Sequence, residues 1–285
     1  FQPAGTVNLE AEDPMRSYAD ALPWLALAAL TSSEEQEKAR WMDAISKWMD
    51  RYEAWGIPRS NLPLSQLTLS LCYVYDWLYE DLPPALRDRI RNRIIEQVHF
   101  HQDDAIEAFA MFRTYWLANH TWFQLAARGV AALTLWGDEK APLKPGELQK
   151  WLDDAVIGFT IVEATHPKDG SAVEGYLYQD YGLRPYFDFA DNADHLLELK
   201  KPFLRDSAEM QALANRIFSA LPAGAGWLVY NDSRPRNPEM RGGGVFRRLA
   251  SLFADSRAQL LPEMIELDGT DPISMAARYD RSLSP

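Results

Sequence analysis

The chain has 285 residues, 47% of them hydrophobic and 25% charged, with a formal net charge of −12. Such a composition belongs to one large folded domain or two small ones and excludes a disordered chain. The single cysteine excludes a disulfide scaffold and any thiolate metal cluster, and the negative charge argues against nucleic acid as main partner, because phosphate contacts need a cationic surface.

The elements follow one another as helices, with almost no two-residue alternation. Residues 15–30 are apolar and Ala-rich. No stretch reaches the roughly 18 apolar residues of a membrane span. The run 21–30 contains Pro23 and lacks a basic stretch before it, so it does not read as a signal peptide. Ser32-Ser-Glu-Glu35 predicts a capped second helix to about residue 55, with Trp41, Ile45, Trp48, Met49 and Tyr52 at helical spacing. After a loop over 56–63, a third helix is expected over 64–79, stopped by Asp81-Leu-Pro-Pro84. Further helices are expected over 85–110, 118–136, 146–165, 178–199 and 206–221, with a shorter one over 245–255. No repeat of fixed length marks a solenoid. Helix pairs separated by Gly/Pro loops instead predict an all-α protein, an α/α toroid over residues 1–258, whose loops surround one concave face. Residues 259–285, with Pro262, Gly269 and Pro272 and no clear period, read as a linker or as the start of a further domain. Ten Trp, twelve Tyr and twelve Phe suit either a thick core or a carbohydrate cleft, where sugar C–H faces stack on rings.

Two segments could carry chemistry. Asn119-His120 opens an apolar helix, where Asn is a good N-cap. Equally, amide and imidazole donors at a helix N-terminus suit a carboxylate or a developing oxyanion. The second segment is Asp169-Gly-Ser-Ala-Val-Glu-Gly-Tyr-Leu-Tyr-Gln-Asp-Tyr-Gly182. Here Glu174, Tyr178 and Tyr181 fall at i,i+4 and i,i+3, one face of a helix, which reads either as a core stripe or as a site. Arg184 lies six residues past Tyr178. Elsewhere, His99 and His101 with Asp103 and Asp104 invite a metal, but i,i+2 spacing points the imidazoles apart, so no metal or cofactor is expected. Arg241-Gly-Gly-Gly244 reads as a turn, Asn231-Asp-Ser-Arg234 as a polar rim, and Cys72 as inert core.

Asp76-Trp77 within Tyr75-Asp-Trp-Leu-Tyr79, the Asn119-His120 pair, and Glu174-Gly-x-x-Tyr178-x-x-Tyr181-Gly182 together resemble the heparinase II/III and alginate-lyase group of polysaccharide lyases. The likeness covers about residues 20 to 255, with the motifs in the same order and about 56 to 58 residues between His120 and the tyrosines. It implies a helical toroid followed by an antiparallel β-sandwich with the cleft between them, and hence a chain truncated before the sandwich or a toroid-only relative. It also implies a periplasmic or secreted protein that cleaves an acidic, uronate-containing polysaccharide, of alginate or glycosaminoglycan type, by β-elimination without a cofactor. In that chemistry Asn119 and His120 offset the substrate carboxylate's charge as the C5 proton leaves. Tyr178, with Tyr176 in reserve, handles the proton and serves the departing O4. Arg113 or Arg184 would supply the cation that a basic tyrosine needs, since tyrosine ordinarily ionises near pH 10. Glu174 would orient the site or bind hydroxyls, and Trp122 and Tyr181 would contact sugar. Two rivals stand beside this reading: a glycoside hydrolase using a carboxylate pair such as Asp169 and Glu174, and a non-catalytic carbohydrate-binding domain.

Overall fold

The structure, a computed structural model, describes residues 12–102, 115–171, 173–199, 201–204, 207–208, 210–212 and 215. It is all-α, with no strand among the described residues. Among the described residues the helices with described bounds run in chain order: α1 Glu12–Thr31, α2 Glu35–Trp55, α3 Asn61–Trp77, α4 Pro84–His101, α5 Asn119–Thr134, α6 Glu147–Thr165 and α7 Tyr176–Leu196. The chain divides into two compact units, one of Phe1–Thr114 with Phe123–Val156, the other of Tyr115–Trp122 with Ile157–Pro285.

In the first unit, α1 packs on α2 and α3, and α3 packs on α4. Helix α3 is buried along nearly its whole length, as a helix that is apolar all round should be. Helix α2 buries Ile45, Trp48, Met49 and Tyr52, the stripe that the spacing predicts. Tyr18 stacks on Trp48 with centroids 4.6 Å apart. The two residues also bond reciprocally: Trp48 Nε1 donates to the Tyr18 carbonyl at 2.9 Å, and the Tyr18 hydroxyl donates to the Trp48 carbonyl at 2.8 Å. A polar seam crosses the core. Thr68 Oγ1 donates to Gln97 Oε1 at 2.8 Å, Gln97 Nε2 donates to the Tyr52 hydroxyl, and Ser65 Oγ lies 3.3 Å from His101 Nε2. Partnered in this way, the buried polar groups avoid the penalty of lost hydration.

Three boundaries differ from the sequence expectation. Ser32 Oγ donates back to the Ala28 carbonyl at 2.7 Å, so the expected cap of α2 does not form; Glu34 takes the cap position without a side-chain bond. Helix α3 begins at Asn61, because Pro63 lies in the first turn, where a missing N–H costs nothing. Helix α4 ends at His101, and residues 103–114 of the long helix expected there lie outside the described residues. Of the helix expected over 206–221, residues 208, 210–212 and 215 are helical, while 206, 209, 213, 214 and 216–221 lie outside the described residues, as do the whole of the helix over 245–255 and residues 259–285.

The second unit is built on aromatic packing. Phe159 stacks on Phe189 at 5.3 Å and meets Tyr186 edge-on at 5.0 Å. The buried Tyr186 hydroxyl donates to Glu163 Oε1 at 2.6 Å. Beyond α7, both Asp194 oxygens accept backbone N–H groups, from Phe203 at 2.7 Å and Leu204 at 2.8 Å, which ties the following segment to the helix.

Candidate active site

The candidate site lies within the second unit, between residues 117–122, the loop after α6, and the first turns of α7. Before α5, Thr121 Oγ1 donates to the Tyr115 carbonyl and Trp122 Nε1 to the Trp116 carbonyl, each at 2.7 Å, folding the 115–118 turn back on the start of α5. After α6, Pro167 bars further helix and the chain turns through Asp169, whose Oδ1 accepts the Ser171 N–H at 3.0 Å. Helix α7 begins only at Tyr176, behind Gly175 at φ +89°. Glu174 therefore lies in the turn before α7 and does not share a helical face with Tyr178 and Tyr181, contrary to the i,i+4 expectation. The positive φ, cheap only for glycine, directs the chain away from helix at that point.

Glu174 nonetheless comes to the site. Its Oε2 accepts the Asn119 backbone N–H at 2.7 Å and Asn119 Nδ2 at 3.0 Å. The expected Asn119 cap is thus replaced. The Asn119 side chain donates outward, its Oδ1 is buried without a hydrogen-bond partner among the described residues, and a carboxylate takes the first N–H of α5 instead. Such a carboxylate is favoured by unpaired N–H groups and by the helix dipole. Gly182 explains the closeness of α7 to this point: a Cβ there would lie 2.9 Å from Trp122 Cε3 and 3.3 Å from Asn119 Cβ.

Asn119, Trp122, Glu174 and Tyr178 line one cavity of about 10 Å³, together with Leu117, Val173, His166 and Gln179. That volume suits about one water. Tyr178, 36% exposed, and Val173 are the cavity's exposed lining residues. The remaining sequence candidates are placed differently. His120 is half-buried in the first turn of α5, and Tyr181 and Arg184 are half-buried on α7; none is among the described lining residues. Tyr176 opens α7, but its side chain and the whole of Arg113 lie outside the described residues. Asp76 and Trp77 close α3 in the first unit.

Sequence reasoning missed His166 and Gln179. They are thirteen residues apart across a loop, with no periodicity to link them. His166 Nδ1 lies 3.4 Å from the Pro167 carbonyl and Nε2 lies 3.2 Å from Gln179 Nε2. The Pro167 carbonyl only accepts, so Nδ1 is the ring nitrogen placed to donate to it, while the Gln179 amide can turn either of its polar atoms to Nε2. Burial lowers the ring's pKa below the ordinary imidazole value, while the Pro167 carbonyl and the Asp169 charge pull the other way.

The other histidines serve separate partners. His99 Nε2 meets Glu147 Oε1 at 2.6 Å, while His101 is fully buried and its pKa is held down to about 3, by burial first and then by the Arg128 charge. Cys72 is buried, and burial pushes its thiol pKa up. Among the described residues no cluster of three or more His, Cys, Asp or Glu is placed to hold a metal, and no helix is long and apolar enough to cross a membrane. No family model matches the chain, and no curated protein matches it in sequence.

Proposed function

We propose that this chain is the helical domain of a periplasmic or secreted polysaccharide lyase, an α/α toroid that cleaves a uronate-containing polymer by β-elimination. One observation carries the reading: Asn119, Trp122, Glu174 and Tyr178, from two distant segments, line one cavity. Elimination removes the C5 proton beside a carboxylate, so the enolate-like intermediate needs hydrogen-bond donors. Glu174 holds Asn119 through its N–H and one amide hydrogen. The other amide hydrogen is left for the substrate carboxylate, with His120 beside it in sequence. Because the cavity is water-sized, the sugar rests over it, beside Tyr178. There Tyr178, starting as the phenolate, takes the C5 proton and passes it to the departing O4, ending ionised again; the C4–O4 bond breaks as the C4–C5 double bond forms.

A hydrolase would need two carboxylates flanking the glycosidic bond. Among the described lining residues Glu174 is the one carboxylate, while Asp169 is engaged in its own turn. The test is the product. Elimination conjugates the new double bond with the carboxylate, so cleavage of a uronate polymer is expected to raise ultraviolet absorbance in step with chain scission. Reducing ends without that absorbance would transfer the site to hydrolysis, and binding without cleavage would make it a carbohydrate-binding domain.

A further inference from the structure

The two carboxylate oxygens of Glu174 are placed differently. Oε2 accepts both Asn119 donors, the backbone N–H at 2.7 Å and Nδ2 at 3.0 Å. Oε1 accepts no hydrogen bond among the described residues, yet it is not sealed: among the cavity's lining residues, the sealed atoms without a partner are Asn119 Oδ1 and Gln179 Oε1. Glu174, half-buried, therefore lines the cavity with one oxygen committed to the protein and the other open to solvent. An ionised carboxylate oxygen only accepts, so a ligand meets it with a donor.

We propose, resting on the uronate reading above, that Glu174 is a specificity-determining residue whose open oxygen accepts a ring hydroxyl of the uronate, at C2 or C3, and so selects a polymer in which that hydroxyl is unsulfated. A hydroxyl donates to Oε1 and forms a charge-assisted hydrogen bond. A sulfate ester at the same position brings only acceptors and a second negative charge, and both oppose a carboxylate. The substrate's own carboxylate is treated differently. The remaining Asn119 amide hydrogen meets it, and the two Asn119 donors already offset the charge at Oε2. Among the described lining residues none is lysine or arginine, the side chains suited to a sulfate.

The test uses the full chain and disaccharides with the uronate at the non-reducing end, which carry no 4-linked sugar to expel and so are bound without cleavage. The unsulfated disaccharide is compared with its O2-sulfated, O3-sulfated, 2-deoxy and 3-deoxy counterparts. At one of the two positions the sulfated and the deoxy sugar should each bind at least about tenfold more weakly, the scale of one hydrogen bond to a charged group. The deoxy loss separates a missing donor from the bulk of a sulfate. Glu174→Gln separates hydroxyl selection from the positioning of Asn119. The Asn119 backbone N–H demands an acceptor, so the amide oxygen takes the place of Oε2 and the NH2 group that of Oε1. Asn119 stays held, while the atom offered to the ligand changes from acceptor to donor. The sulfated sugar should then bind at least as well as the unsulfated one. Equal wild-type affinity for the unsulfated and both sulfated sugars, sulfate losses with no deoxy loss, or a wild-type preference carried unchanged into Glu174→Gln would each overturn the assignment. Should the variant not fold, the wild-type deoxy series decides alone. Selection of the free hydroxyl with no ultraviolet product from any uronate polymer would fail the lyase reading and leave the role of Glu174 standing; product formed equally well from sulfated and unsulfated polymers would do the reverse. No binding of any probe overturns the assignment, and joined to an absence of ultraviolet product it overturns both.

Discussion

Glu174 shows that the start of α5 holds a carboxylate well, since one oxygen takes both the backbone N–H and the side-chain amide of Asn119. The arrangement orients Asn119 rather than spending it. On the proposed lyase reading, removing the carboxylate in Glu174→Ala should therefore act through Asn119, raising KM for the polymer more than it lowers kcat, as expected of lost positioning in the ground state. An unchanged KM with a collapsed kcat would instead make Glu174 a participant in proton transfer. Tyr178 carries the opposite expectation. Tyr178→Phe removes one hydroxyl at the cavity, so polymer binding should persist while turnover falls by at least about 100-fold, the usual scale for losing an acid–base group. Should Tyr176→Phe abolish ultraviolet product formation while Tyr178→Phe leaves it intact, the proposed catalytic role belongs two residues earlier.

At the scale of elements, the approach of α7 to residues 119–122 depends on Gly182. Adding a Cβ would force it to within 2.9 Å of the Trp122 ring, and Trp122 is held by its bond to the Trp116 carbonyl. Gly182→Ala should cost about 1–3 kcal/mol, the range for overpacking a closed interior, and lower polymer affinity at the same time. Wild-type denaturant midpoint and affinity in that variant would show that the contact relaxes freely and that the glycine does not shape the site. The elements themselves were largely legible. The apolar stripe of α2, the apolar length of α3 and the Pro83-Pro84 start of α4 follow from residue spacing and proline chemistry. The site was legible only in part. Asn119 and Tyr178 announce themselves at helix starts, whereas the exit of Glu174 from helix depends on the φ of Gly175, a backbone angle that no spacing encodes. His166 was silent for the same reason. Its partner lies across a loop, and only the folded turn brings the two nitrogens to 3.2 Å.

Across the whole molecule, net charge and buried histidines together set how stability responds to acid. The chain carries twelve more acidic than basic side chains, so mild acid relieves repulsion and, by that effect alone, would stabilise the fold. The buried histidines act in the opposite sense. His101 is enclosed in the first unit beside Ser65 with its pKa pushed down to about 3, and His166 is lowered too. In the unfolded chain each takes its proton near pH 6.5. Below that value the unfolded state binds more protons than the folded one, so stability falls as pH falls; above it the contribution is flat. The carboxylates with lowered pKa, Asp138 held by the Tyr75 hydroxyl and then the Lys140 N–H and Arg91, and Glu147 held by the Lys144 N–H and then His99, add their loss only at lower pH, through and below the ordinary carboxylate range. From about pH 6.5 to 5 the buried histidines therefore contribute a slope of up to about 1.4 kcal/mol per pH unit for each fully differing proton, opposed by Asp76, whose carboxyl pKa burial raises so that the folded chain takes up that proton first. Denaturant midpoints measured across this window should fall with acid in the wild type and fall less steeply in His101→Gln, which keeps a polar partner for Ser65 but cannot titrate. A wild-type midpoint that holds or rises from about pH 6.5 to 5 would mean that charge relief outweighs the buried imidazoles, and an identical slope in His101→Gln would place the proton uptake elsewhere.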